Sequence, residues 1–219
     1  MKNSDLKKWI QEKAHEIGFD LCGFTNEFVT KKKKYFLEWL EKEKFAEMKW
    51  LGNNSDKRLQ PDLIHEETKS IIVLAVSYNH NPKERDYKIA RYAHGEDYHR
   101  WVKGMLEKLA MSIQEKYPGF SWRSFVDTGP MLERDLAAKS GIGWIGKNTC
   151  LLNEHLGSYL FLGSLLCNLD LESQTPGVNQ CASCRLCLEA CPTGALTPYQ
   201  LEPQKCLAYQ NIEKRGPRD

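Results

Sequence analysis

The sequence predicts an α+β protein: a sandwich of helices around a mixed β-sheet over residues 1–172, followed by a short cysteine-rich unit over 173–219. Three observations predict it. Residues 71–76, Ile-Ile-Val-Leu-Ala-Val, form an unbroken apolar run, the pattern of a strand buried on both faces. Amphipathic helical stretches are interleaved with strand-like runs without strict alternation, which favours three layers with a mixed sheet over a parallel doubly wound fold. After Leu171 the chain turns to Glu-Ser-Gln-Thr-Pro-Gly, and five of its eight cysteines follow.

Each element has its own signal. Ser4 or Asp5 can cap a helix over residues 4–17, with Leu6, Trp9, Ile10, Ala14 and Ile17 at helical spacing and Gly18 at its end. Residues 20–24 read as a short buried strand. Tyr35, Phe36, Trp39 and Leu40 mark the stripe of a second helix ending near Lys44. A polar loop over residues 52–61 leads to the strand at 70–78, which its apolar run makes central. A polar, proline-containing loop comes next. Trp101, Leu106, Leu109 and Ile113 then give a long amphipathic helix up to Pro118. Residues 122–126 read as a strand and 132–139 as a helix. The strand-like runs 149–152 and 159–167 are joined by a short turn, which predicts an antiparallel hairpin.

Composition narrows the class. The 219 residues are 41% hydrophobic and 27% charged, enough for a real core. No window reaches the roughly 18 apolar residues of a membrane span, and the longest candidate, residues 156–167, contains Ser158, Tyr159, Gly163 and Ser164. The N-terminus has no apolar signal-peptide core, so a soluble, cytoplasmic chain is expected. The formal charge of +2 does not indicate a protein that coats nucleic acid, and the run from Lys31 to Lys34 reads as a solvated face.

The cysteines carry the most chemistry. Without a signal peptide, eight of them argue for metal or redox work over a disulfide framework. Cys22, Cys150 and Cys167 are isolated in apolar runs and read as structural thiols. Residues 181–192 read Cys-Ala-Ser-Cys-Arg-Leu-Cys-Leu-Glu-Ala-Cys-Pro, the C-x2-C-x2-C-x3-C-P run of ferredoxin-type 4Fe–4S sites. Three thiolates two residues apart wrap one cube, while the fourth points elsewhere and serves the second cluster in two-cluster ferredoxins. A zinc site, which pairs two hooks across a longer gap, fits four cysteines in eleven residues poorly. The metal candidates are Cys181, Cys184, Cys187, Cys191 and Cys206. Two clusters need eight thiolates, and no second run follows, so the chain is expected to be cut short.

Three further segments exceed what packing needs. Arg91-Tyr-Ala-His-Gly-Glu-Asp-Tyr-His99 gathers ionisable and aromatic groups before a helix. Val126-Asp-Thr-Gly-Pro-Met-Leu-Glu-Arg134 sets an acid at a strand end. Gly141-Ile-Gly-Trp-Ile-Gly-Lys-Asn-Thr149 offers bare backbone to a large flat ligand. None matches a dinucleotide fingerprint or a phosphate loop.

In this order, and followed by Cys191-Pro-Thr-Gly-Ala-Leu196, these segments resemble the epoxyqueuosine reductase family along essentially the whole chain. The resemblance implies a cobalamin- and iron–sulfur-dependent oxidoreductase that converts epoxyqueuosine to queuosine at the tRNA wobble position. It implies a nitroreductase-like, cobalamin-binding catalytic unit at 1–172 and a ferredoxin-like 4Fe–4S unit at 173–219, incomplete because the second cysteine run is missing. Family members continue with that run, and some carry a helical repeat domain that helps hold tRNA. The implied partners are tRNA carrying epoxyqueuosine and an external low-potential electron donor, with no membrane, acting on a monomer.

The resemblance also implies roles. Cob(I)alamin would attack the epoxide, the clusters would relay electrons, and Asp127 would be the general acid, its pKa raised by burial beside the corrin. An aspartate capping the next helix is the plainer reading of the same residue. Arg58, Tyr98, His99, Gly146, Lys147 and Asn148 are the implied cofactor-binding residues. A solvated loop arginine and a helix-start histidine are the plainer readings of Arg58 and His99. Glu133 and Arg134 read first as a fold-holding ion pair, and Trp144 is the one tryptophan expected to do more than pack. Two other functions remain open at this stage: an iron–sulfur electron carrier, and a cobalamin-binding protein without reductase turnover.

Overall fold

A computed structural model describes residues 2–79 and 89–217. The elements in chain order are α1 (Asn3–Ile17), β1 (Leu21–Thr25), α2 (Lys33–Glu41), α3 (Ser55–Leu59), β2 (Ser70–Ser77), α4 (Tyr98–Lys116), β3 (Trp122–Phe125), α5 (Glu133–Lys139), β4 (Trp144–Ile145), β5 (Leu151–Leu152), β6 (Leu160–Cys167), α6 (Leu186–Glu189), β7 (Leu196–Thr197) and β8 (Gln200–Leu201). Most of the loop expected after β2 lies outside the described residues.

The main sheet has the order β1-β2-β6-β3. Strand β2 is central, and alternate side chains along it enter two different cores. Ile72, Leu74 and Val76 pack with Phe24 and Leu165 under α1 and α4, against Ile10, Ala14, Val102, Leu106 and Leu109. Ile71, Val73 and Ala75 face the opposite side with Leu166, under Leu136 and Ala137 of α5 and Ile142 and Leu151 beside it. Both faces are covered, which is why β2 has no polar alternation.

Two expectations need correction. Every pairing of the main sheet among the described residues is antiparallel, so the sheet is not mixed. A parallel neighbour needs a crossover that carries the chain back over a face of the sheet. The β1–β2 connection does not do this: α2 buries no residue fully, so it lies outside the two cores. The second correction concerns the predicted hairpin. β5 pairs with β4, Trp144 opposite Leu152 and Ile145 opposite Leu151, while β6 joins the main sheet. The short apolar run at 149–152 is thus the return arm of the glycine-rich loop.

Residues 173–217 have little core of their own. Ala195 and Tyr209 are buried, but Val178, Leu186 and Ile212 are largely exposed. No helix among the described residues is long and apolar enough to cross a membrane.

Candidate active site

Strand β3 ends at Phe125, and two residues later Asp127 stands in the left-handed region at φ +58°. That conformation costs a non-glycine residue about 1–2 kcal/mol, less for aspartate than for most. The strain is held by a partner: the Asp127 amide donates to Glu133 Oε1 at 2.9 Å, in the first turn of α5. Glu133 and Arg134 therefore do not form the expected ion pair. Arg134 turns to the glycine-rich loop and donates from Nη1 to the Thr149 carbonyl at 2.7 Å.

The start of α4 supplies the groups that face Asp127. Asp97 caps the helix by accepting from the His99 amide at 3.0 Å. Its Oδ1 also lies 2.7 Å from His99 Nδ1, while His99 Nε2 lies 3.4 Å from Asp127 Oδ2. The Tyr98 hydroxyl donates to the same Oδ2 at 3.1 Å. Both nitrogens of His99 thus face carboxylates, the arrangement of an imidazolium. Partial burial lowers its pKa, the bonds to Asp97 and Asp127 raise it, and the net shift is upward.

Tyr98 is held by packing. Its ring stacks on Phe161 of β6 at 4.2 Å, and Phe161 in turn packs against Tyr78. Burial and the Asp127 charge push its phenol upward, so it remains a proton donor in a hydrogen bond. Burial, then the Asp127 charge, raise the Glu133 carboxyl to about 7. Arg58 sits over the Trp50 ring at 5.6 Å and donates to the Asn53 carbonyl, with Glu133 as its opposing charge. Grooves open on both sides of this cluster: one of about 510 Å³ beside His99, Trp122 and Phe125, and one of about 310 Å³ beside Tyr78, Tyr98 and Trp101.

The glycine-rich loop is built differently from the expectation. A Cβ on Gly143 would lie 2.0 Å from the Leu152 carbonyl oxygen, and one on Gly146 would meet the Leu152 side chain at 2.5 Å. These glycines admit the chain's own β5 arm. Asn148 turns inward, its Oδ1 accepting from the Cys150 amide. Lys147 reaches the cysteine segment, donating to the carbonyls of Ala182 at 2.6 Å and Cys184 at 2.8 Å. The Trp144 indole nitrogen is buried without a hydrogen-bond partner.

The structure thus brings Asp127, Tyr98 and His99 together, with Arg58 close to their support at Glu133. Gly146, Lys147 and Asn148 form a second group in the β4–β5 turn. Sequence reading missed the roles of Asp97 and Glu133. The signal available for Glu133 was its place in the first turn of a helix six residues after a strand-end acid.

The cysteines are all free thiols. The Cys184 amide donates to the Cys181 carbonyl at 2.7 Å, closing the turn between the first two cysteines. No group of three or more metal-ligating side chains is drawn together among the described residues. The donor set nonetheless suits iron: the Cys191 thiol pKa is lowered by the Thr193 hydroxyl and by backbone amides directed at the sulfur, a setting that favours thiolate.

The family model described as epoxyqueuosine reductase QueG, DUF1730, matches residues 58–128, and the 4Fe–4S double cluster binding domain matches residues 180–219. An epoxyqueuosine reductase of Cellulophaga algicola is 39% identical over 98% of this chain and 71% of its own length. The solved epoxyqueuosine reductase of Streptococcus thermophilus superposes with a TM-score of 0.88 at 32% identity, over 98% of this chain and 60% of that one. An epoxyqueuosine reductase solved with a tRNA-Tyr epoxyqueuosine-modified stem loop superposes at 0.85 with 29% identity, over 95% of this chain and 58% of that one. The chain therefore spans roughly three-fifths to seven-tenths of the relatives it matches, and over that span it belongs to the epoxyqueuosine reductase family.

Proposed function

We propose that this chain carries the reductase centre that removes the epoxide oxygen of epoxyqueuosine in tRNA, in the cytoplasm. One observation carries the reading: the Tyr98 hydroxyl and His99 Nε2 converge on one oxygen of Asp127, whose own amide is fixed by Glu133. The relative solved with a modified stem loop supports tRNA as the partner.

Converting the epoxide to an alkene and water takes two electrons and two protons. Bound cobalamin supplies a reduced cobalt nucleophile for this chemistry, and the iron–sulfur unit supplies single electrons at low potential. The chain's own residues handle protons and geometry. Asp127 is the proton donor to the epoxide oxygen. Oδ2 accepts from Tyr98, and His99 Nε2, 3.4 Å away, is the group that can return a proton to this same oxygen, while Oδ1 is left open toward the substrate side. The Asp127 side chain is 62% exposed, so shielding of its carboxyl from water has to come from bound cofactor and substrate.

The residues fit a flat, amide-rimmed cofactor at the aromatic wall of Tyr98 and Phe161. The unpaired Trp144 N–H is a donor suited to a corrin side-chain amide. Within this reading, residues 1–172 form the nitroreductase-like cobalamin-binding unit. Residues 173–219 form the ferredoxin-like unit, with Cys181, Cys184, Cys187, Cys191 and Cys206 as ligands. A bare electron carrier would leave the Asp127 cluster without a task.

Anaerobic titration with cob(II)alamin, followed by visible absorption and EPR, tests the reading. Saturable binding with a changed cobalt spectrum, weakened about tenfold in Trp144→Phe, is the expected result. A folded chain that leaves the spectrum of free cob(II)alamin unchanged would remove the reductase assignment.

A further inference from the structure

Lys147 comes from the β4–β5 turn of the larger unit, yet its ammonium is spent on two carbonyls of the cysteine segment, Ala182 at 2.6 Å and Cys184 at 2.8 Å. The contact is reinforced from the other side, because the Lys147 carbonyl accepts from the Tyr199 amide at 3.0 Å and the Tyr199 hydroxyl accepts from Asn179 Nδ2. Asn179 Oδ1 in turn accepts from the Cys181 amide at 2.9 Å. Lys147 thus holds the loop directly at Ala182 and Cys184, and its backbone reaches the Cys181 end through Tyr199 and Asn179.

A trans peptide points its C=O and the following N–H in opposite directions. Holding the Ala182 and Cys184 carbonyls toward Lys147 thus turns the Ser183 and Arg185 amides away from it. Lys147 also sets a full positive charge against two peptides of the cysteine loop. That charge favours the reduced, more negative state of an iron–sulfur cluster, whose potential follows net charge.

We propose that Lys147 is a positioning residue for the iron–sulfur loop: its ammonium fixes the orientation of the Cys181–Cys184 turn and raises the reduction potential of the cluster held there, joining that cluster to the glycine-rich turn. The proposal rests on the reading of Cys181, Cys184 and Cys187 as cluster ligands. Arg134 extends the join toward the Asp127 loop, since it donates to Thr149 from the residue next to Glu133.

The test compares the full chain with Lys147→Met and Lys147→Arg. In each, the cluster is reconstituted anaerobically and titrated by EPR against redox potential. Hydrogen exchange over residues 182–187 is read separately on the metal-free proteins. Lys147→Met is expected to lower the potential so that the oxidised-to-reduced ratio at fixed poise rises about tenfold, which is about 59 mV for one electron. Lys147→Arg should restore most of that shift, and exchange over 182–187 should quicken in Lys147→Met alone. An unchanged midpoint in Lys147→Met with normal iron content overturns the proposal. If Lys147→Met takes up no iron, recovery of uptake in Lys147→Arg supports the proposal, and failure to recover with unchanged exchange overturns it. A wild-type chain that takes up no iron sinks the cluster assignment instead, and the exchange measurement then decides whether the grip on the loop is real.

Discussion

Replacing Glu133 with glutamine separates charge from shape beside the Asp127 loop. The glutamine side chain would keep an oxygen to accept the Asp127 amide, now held at 2.9 Å, but would remain neutral at every pH. In the native chain the carboxyl is raised from 4.5 to about 7 by burial and by the Asp127 charge. A folded-state pKa above the unfolded value means that folding takes up a proton between those limits. The stability this contributes is complete below about pH 4.5 and is lost as pH rises through about 7. Across the full interval the loss approaches about 3 kcal/mol, and residual solvent contact at Glu133 reduces it. Urea unfolding of the reduced, metal-free chain at about pH 5 and pH 8 is the assay. Glu133→Gln should match the native chain at the lower pH and exceed it by about 1 kcal/mol or more at the higher, on the order of the linkage above. His99 and Asp97 titrate in both proteins, so most of their effect cancels in the difference. A stability difference that stays constant from low to high pH would refute the account of Glu133.

Other outcomes follow from the same geometry. Asp127→Asn preserves shape but cannot give up a proton at neutral pH, so turnover should fall at least about 100-fold while cob(II)alamin binding persists; comparable losses of both would demote Asp127 to a binding residue. Tyr98→Phe removes one donor to Asp127 and should cost about 1 kcal/mol or less in stability, with turnover falling by about tenfold in an assay on a modified stem loop. Gly143→Ala places a methyl 2.0 Å from the Leu152 carbonyl and should destabilise by about 3 kcal/mol or more, measured by thermal or urea unfolding. Gly104→Ala is the control: it lies in α4 with open space around it, and helix propensity should make the chain about 0.5–1 kcal/mol more stable.

The sequence by itself determined the elements whose residues interact locally. The two-sided apolar run of β2 and the helical stripes of α1 and α4 were legible because burial imposes a period on neighbours in the chain. The cysteine spacing was legible for the same reason, since one loop holds the thiols. The segments that meet at the site, 97–99 and 126–134, were visible as oddities but their contacts were not. Only tertiary structure decided that Asp127 takes a left-handed conformation braced by Glu133, and that His99 lies between two carboxylates. Tertiary structure also decided the direction of the sheet and the partner of β5. Antiparallel pairing depends on the path of a connection, and a two-residue strand carries too little pattern to name its neighbour. Lys147 shows the same limit most plainly. Its position in a glycine-rich loop pointed toward a ligand, whereas its reach across some 35 residues to Ala182 and Cys184 depends on how the two parts of the chain pack, which no local period records.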